Sequence, residues 1–216
     1  MEEYSVYNDI SKRTNGEFYL GVCGPVRTGK STFIKKFMEM FVLPGIRDEN
    51  DRKRAMDELP QSAEGKTIMT TEPKFIPKEA VKINLFEGND IKVRMVDCVG
   101  YIVEDAGGLM EGERERMVMT PWSEEPMPFA KAAEYGTKKV IHDHSTIGIV
   151  ITTDGSFGDI SRQSYKAAED KTISELKSIG KPFIVIVNTA NPFGEKAKDV
   201  INEIKERTGV TPVALN

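Results

Sequence analysis

A three-layer α/β sandwich on a mostly parallel sheet, with one antiparallel hairpin strand, is the fold this 216-residue sequence predicts, and three observations predict it. The apolar run Phe18–Cys23 ends at a glycine-rich segment that leads into helical spacing. The alternating runs Val81–Leu85 and Ile91–Met95 flank the turn Glu87-Gly88-Asn89-Asp90 and read as a β-hairpin. The unbroken apolar runs Ile147–Ile151 and Phe183–Val187 have the pattern of central parallel strands covered on both faces by helices.

Taken in order, residues 1–17 are an acidic N-terminal segment, and Phe18–Cys23 is the first strand. Phe33, Ile34, Phe37 and Met38 give Ser31–Met38 a helical period. From 43 to 77 the composition turns polar, with Asp48 and Arg52, and Glu49 and Lys53, at i,i+4 spacing; a solvated helix and then a loop are expected, a switch I-like insertion. The hairpin follows, and 101–128 reads as a switch II-like loop whose methionines, Met110 to Met127, serve loop packing. Ser161–Ile179 is a helix closed by Gly180 and Pro182, and Glu195–Thr208 is one closed by Gly209. A last strand begins at Pro212, and a chain that stops there reads as a piece of a longer one.

With 39% hydrophobic residues over 216, the chain suffices for one domain with a core and not comfortably for two, so 1–216 is expected to be a single domain. Lys plus Arg number 30 against 34 for Asp plus Glu, a net charge of −4 that disfavours nucleic acid as a partner. No apolar run approaches the roughly 20 residues that span a bilayer, so export and membrane insertion are not expected. Cys23 and Cys98 end two strand-like runs and read as buried thiols of a reducing cytosol, with a redox pair as the alternative if the strands are neighbours.

The glycine-rich segment Gly24-Pro25-Val26-Arg27-Thr28-Gly29-Lys30-Ser31, followed by Thr32, fits G-x-x-x-x-G-K-[ST]. Between a strand and a helix, its backbone N–H groups surround the α and β phosphates, Lys30 reaches the β and γ phosphates, and the Ser31 hydroxyl binds Mg²⁺. Asp97 and Gly100 form D-x-x-G at the end of the next strand, where Asp97 holds Mg²⁺ through water and the Gly100 N–H bonds the γ phosphate. A switch segment would present Thr70 or Thr71 to Mg²⁺ and the γ phosphate; entry into the hairpin explains these threonines equally simply.

The hairpin leading into Asp97 marks the GTPase-like class of P-loop NTPases, of which Ras is the familiar member. Their guanine reader is N-K-x-D, whereas here Asn188-Thr189-Ala190-Asn191 keeps the first Asn and lacks the Lys and Asp. Losing the charge-assisted bonds of that Asp, each worth roughly 1.5–3 kcal/mol, weakens guanine selection and favours ATP. Tyr101 stands where a glutamine orients the attacking water, so hydrolysis should be slow or completed by another group. Arg27 is either a stabiliser of developing charge or a surface arginine. Asp154 to Asp159 lie in a loop at the ligand-binding edge of the sheet, or are simple turn residues, and His142 with His144 make a poor zinc pair.

GPVRTGKSTFIKKFME, DELPQSAEGKTIMTTEPKF, VDCVGY, TPWSEEPMPF, HDHSTIGIVITTDG and GKPFIVIVN together resemble the stage IV sporulation protein A family. The resemblance covers nearly the whole chain. It implies an ATPase of the mother-cell cytoplasm that hydrolyses ATP to self-assemble into static polymers, the base layer of the spore coat on the forespore surface. It further implies that Lys30 serves ATP binding, Asp97 the Mg²⁺ side, and Thr70 and Thr71 sensing of hydrolysis, and that Asn191 goes with adenine. Family members are about twice as long, and their far C-terminal region contacts a small amphipathic membrane-anchoring protein; that region is expected to be absent here. A regulatory GTPase switch and a small-molecule phosphotransferase remain the competing readings.

Overall fold

Residues 16–60, 72–86 and 89–216 are described by the computed structural model, with the side chains of 83–90 left aside. β1 (Glu17–Cys23) leads through the glycine-rich loop into α1 (Lys30–Phe37), which continues as a π turn, Met38–Val42, and a 3-10 turn, Leu43–Gly45. α2 (Glu49–Asp57) begins where the Asp48 carboxylate accepts the Asp51 N–H at 2.9 Å, an N-cap worth about 1 kcal/mol. The two i,i+4 pairs expected there do not set its start; that falls to the cap, while Arg54 pairs with Asp51 at i,i+3.

β2 (Lys74–Phe86) and β3 (Asn89–Asp97) are the expected hairpin, but β2 starts at Lys74, inside the loop expected after the helix of segment 43–77. Between β3 and the next core strand lie two ribbons, β4 (Met110–Glu111) with β5 (Arg114–Glu115) and β6 (Met117–Thr120) with β7 (Ser123–Pro128), where a loop was expected. They escape the sequence because they bury little: β4 and β5 are exposed throughout, so no apolar alternation marks them.

A helix that the sequence did not announce follows: α3 (Phe129–Lys139), with a π turn at Val140–His144. β8 (Ile147–Thr153), α4 (Arg162–Ser178), β9 (Phe183–Asn188), α5 (Glu195–Thr208) and β10 (Val213–Leu215) then alternate as the two unbroken apolar runs predict.

The six-stranded sheet has the order β10-β9-β8-β1-β3-β2, and every neighbouring pair is parallel except β2 with β3. This is the α/β fold of a P-loop NTPase with one antiparallel edge strand. One face buries Val22, Ile34, Met38, Val93, Met95 and Ile151 under α1; the other buries Val150, Val187, Tyr165, Leu176 and Ile204 under α4 and α5. Chain reversal in strand order beside β1 places the carboxyl ends of β1, β3 and β8 side by side, the edge where open α/β sheets bind ligands.

Candidate functional site

Two left-handed glycines shape the loop between β1 and α1. Gly24 has φ +122°, and a Cβ there would stand 2.4 Å from the Ile151 carbonyl; Gly29 has φ +90° and caps α1. A side chain at either position would push the loop off the sheet edge. Arg27 also lies at positive φ, 59°, and its side chain is exposed. Pro25, Val26 and Thr28 are buried, the Thr28 hydroxyl donating to the Pro25 carbonyl at 3.0 Å, while Thr32 faces outward on the first turn of α1.

Lys30 opens α1 with only 5% of its surface exposed, and its Nζ donates to the Pro25 carbonyl at 2.5 Å. Burial holds its ammonium below the usual lysine range, and the neighbouring Asp97 charge partly offsets this. The lysine is thus folded back over the loop whose phosphates it is expected to meet.

Asp97, at the end of β3, accepts the Ser31 hydroxyl through Oδ2 at 2.9 Å, while its Oδ1 is buried and has no partner among the described residues. Burial pushes this carboxyl above its usual range, against the pull of Lys30 and Ser31. A hydroxyl and an orphaned carboxylate oxygen, both hard oxygen donors, suit a Mg²⁺ that keeps several of its waters. Ser31 and Asp97 would hold it, and it would neutralise charge on the phosphate oxygens.

Gly100 lies directly over Lys30: at φ +95°, a Cβ there would come within 2.6 Å of Lys30 Nζ and 2.2 Å of the Gly24 carbonyl. Its N–H, expected to point at a γ phosphate, instead donates to the Thr137 hydroxyl on α3 at 3.1 Å. Tyr101 locks the same segment to the loop, donating its N–H to Gly24 at 3.1 Å and accepting from Val26 at 2.9 Å. The Tyr101 ring is buried and its hydroxyl donates to Glu175 on α4 at 2.7 Å, so it points into the core and away from the loop. Thr70 and Thr71 lie outside the described residues.

Along the full length, residues 1–216, the chain matches the family model described as "Stage IV sporulation protein A, ATPase domain". The chain belongs to this family. It is 54% identical over 216 residues to Stage IV sporulation protein A of Bacillus subtilis (strain 168) and 53% identical to that of Bacillus anthracis, covering all of this chain and 44% of each relative. Against the protein of the same name from Clostridioides difficile (strain 630) it is 56% identical over 212 residues, covering 98% of this chain and 43% of the relative. The chain therefore spans less than half the length of these relatives.

In this member of the stage IV sporulation protein A family, the loops after β8 and β9 are sewn together beside the glycine-rich loop. Asn188 donates to the Thr28 carbonyl at 3.0 Å, and its amide packs where a Gly29 Cβ would stand, 2.4 Å away. Thr189, standing where the guanine reader has a lysine, is buried and donates to Asp154 Oδ2 at 2.6 Å. Asp154 Oδ1 accepts the Ser156 N–H at 2.8 Å, and the Ser156 hydroxyl accepts the Ala190 N–H at 2.9 Å. Burial pushes the Asp154 carboxyl up, but these two donors outweigh it and leave it below its usual range. Asp154 is thus a strut between two loops, a part that turn composition alone did not disclose.

His142 meets Glu175 Oε1 at 2.9 Å, whereas His144 sits edge-on against Phe75 with ring centroids 5.5 Å apart. The two imidazoles serve different neighbours. Cys23 and Cys98 are both free and buried, donating to the Ile149 and Val22 carbonyls at 3.8 and 3.3 Å. Burial raises both thiols, Cys98 to about 11, which leaves them unreactive at neutral pH.

Proposed function

We propose that this chain is a Mg²⁺-dependent ATPase domain that slowly converts ATP and water to ADP and phosphate. The turnover drives self-assembly of a structural protein into the base layer of the bacterial spore coat, on the forespore surface facing the mother-cell cytoplasm. The observation that carries the reading is the half-buried pair of Ser31 and Asp97, with a buried and orphaned carboxylate oxygen, at the mouth of a loop that ends in Lys30. Membership of a family described as an ATPase domain supports ATP as the nucleotide.

Each residue has a part in this reading. The backbone of Gly24 to Gly29 surrounds the phosphates, and Lys30 leaves Pro25 to meet the β and γ oxygens. Ser31 and Asp97 hold Mg²⁺, and Thr70 and Thr71 sense the γ phosphate and turnover. Asn188 braces the loop from below. Tyr101, turned into the core, does not orient water, which accounts for slow turnover. The longer protein's partners, a small amphipathic membrane-anchoring protein and other coat proteins, belong to the same proposal.

Lys30→Ala tests it. Removing the charge that faces the β and γ phosphates should abolish ATP binding measured by calorimetry, and retention of the parent affinity would contradict the role. Thr70→Ala combined with Thr71→Ala should keep binding and lose phosphate release; unchanged release would refute their assignment. A regulatory GTPase is the second reading, favoured only by the GTPase-like strand order.

A further inference from the structure

The Gly100 N–H is a donor with two claimants. Thr137 is fully buried in the last turn of α3, where its hydroxyl donates to the Ala133 carbonyl at 2.7 Å, the i−4 back-bond of a helical threonine. With its one proton so placed, Thr137 Oγ1 can only accept, and what it accepts is the Gly100 N–H at 3.1 Å. Gly100 in turn adjoins Lys30, the group that meets the β and γ phosphates in the reading above.

We propose that Thr137 sets how strongly the site prefers a nucleoside triphosphate over a diphosphate, by competing with the γ phosphate for the Gly100 N–H. The inference rests on the nucleotide reading and deepens it. A diphosphate leaves the bond to Thr137 intact. A triphosphate takes the same N–H, through rotation of the Val99–Gly100 peptide, which a glycine at positive φ tolerates. Tyr101 holds the next residue to Gly24 and Val26, so the exchange needs no displacement of the loop. Thr137 is a positioning residue: it acts through Gly100.

Thr137→Val keeps the side-chain shape and deletes the competing acceptor. The ratio of ADP to ATP Kd should then rise about five- to tenfold, the worth of one hydrogen bond to a buried donor, and Thr137→Ser, which keeps the hydroxyl, should restore the parent ratio. An unchanged ratio in the valine variant would overturn the inference. In the parent chain, the Gly100 amide resonance should move with a non-hydrolysable ATP analogue and stay in place with ADP; a resonance that fails to distinguish them would overturn it even if the valine variant does not fold. A parent that binds neither nucleotide would overturn the nucleotide reading itself, a result separate from both.

Discussion

Buried carboxylate oxygens nearly always have a donor, and Asp97 Oδ1 has none among the described residues. Because burial raises the Asp97 carboxyl, its ionised form costs stability in the folded protein, a cost that grows as pH rises through the ordinary carboxylate value. Asp97→Asn should therefore leave the melting temperature unchanged or raise it at neutral pH. The same substitution should weaken Mg²⁺-supported ATP binding by roughly 10- to 100-fold, as loss of a residue acting on the metal through its water does, and should make binding insensitive to a chelator. A variant that melts much lower while keeping chelator-sensitive binding would show Asp97 to be structural only. Lys30 and Asp97 were legible in the sequence because four fixed positions and a strand-end D-x-x-G announce them. Thr137 was not, because a threonine inside a helix carries no motif.

At the scale of elements, α3 shows how a helix escapes notice. Its buried residues Phe129, Ala132, Ala133, Gly136 and Thr137 stand at i, i+3, i+4, i+7 and i+8, a full helical face. Four of the five are small or polar, so the stripe does not register as apolar, and Pro128 supplies no capping side chain. β8 and β9, by contrast, carry continuous branched residues and could be read at once.

Two struts tie such elements together. Glu169 on α4, with no exposed surface, accepts from Arg162 at 2.6 and 2.8 Å, from Arg207 on α5 at 2.8 Å, and from Thr152 on β8. Glu169→Ala removes the buried carboxylate shared by Arg162 and Arg207, which keep Glu203 between them and Asp170 on Arg207, and should cost about 2–3 kcal/mol in urea unfolding; a cost below about 1 kcal/mol would count against the network. Asp154 joins the loops after β8 and β9, and its carboxyl sits below the usual range. Its contribution is then fully present above about pH 4, the unfolded value, and is lost as pH falls through the folded one. The difference in melting temperature between the parent and Asp154→Asn should narrow as pH is lowered from about 6 toward 3, and a difference independent of pH would contradict the assignment.

For the whole molecule, the order β10-β9-β8-β1-β3-β2 gathers every described residue of the site at one sheet edge, although Ser31 and Asp97 are far apart in the chain and Asn188 farther still. The glycine-rich loop and D-x-x-G could be read separately in the sequence, but that β1 and β3 are parallel neighbours, which brings Ser31 to Asp97, is set by the strand order of the folded sheet. The two ribbons within 101–128 could not be read in the sequence, because β4 and β5 face solvent and β6 and β7 bury only a few residues, which leaves no periodic trace. Thr189 is committed to Asp154 and Asn191 stands in place of an aspartate, so the assembled edge lacks the charge that reads guanine. Competition of unlabelled GTP against labelled ATP, with Mg²⁺ present, measures this directly. Unlabelled ATP should displace the label far more effectively than GTP, and preferential displacement by GTP would show a guanine-selective site instead.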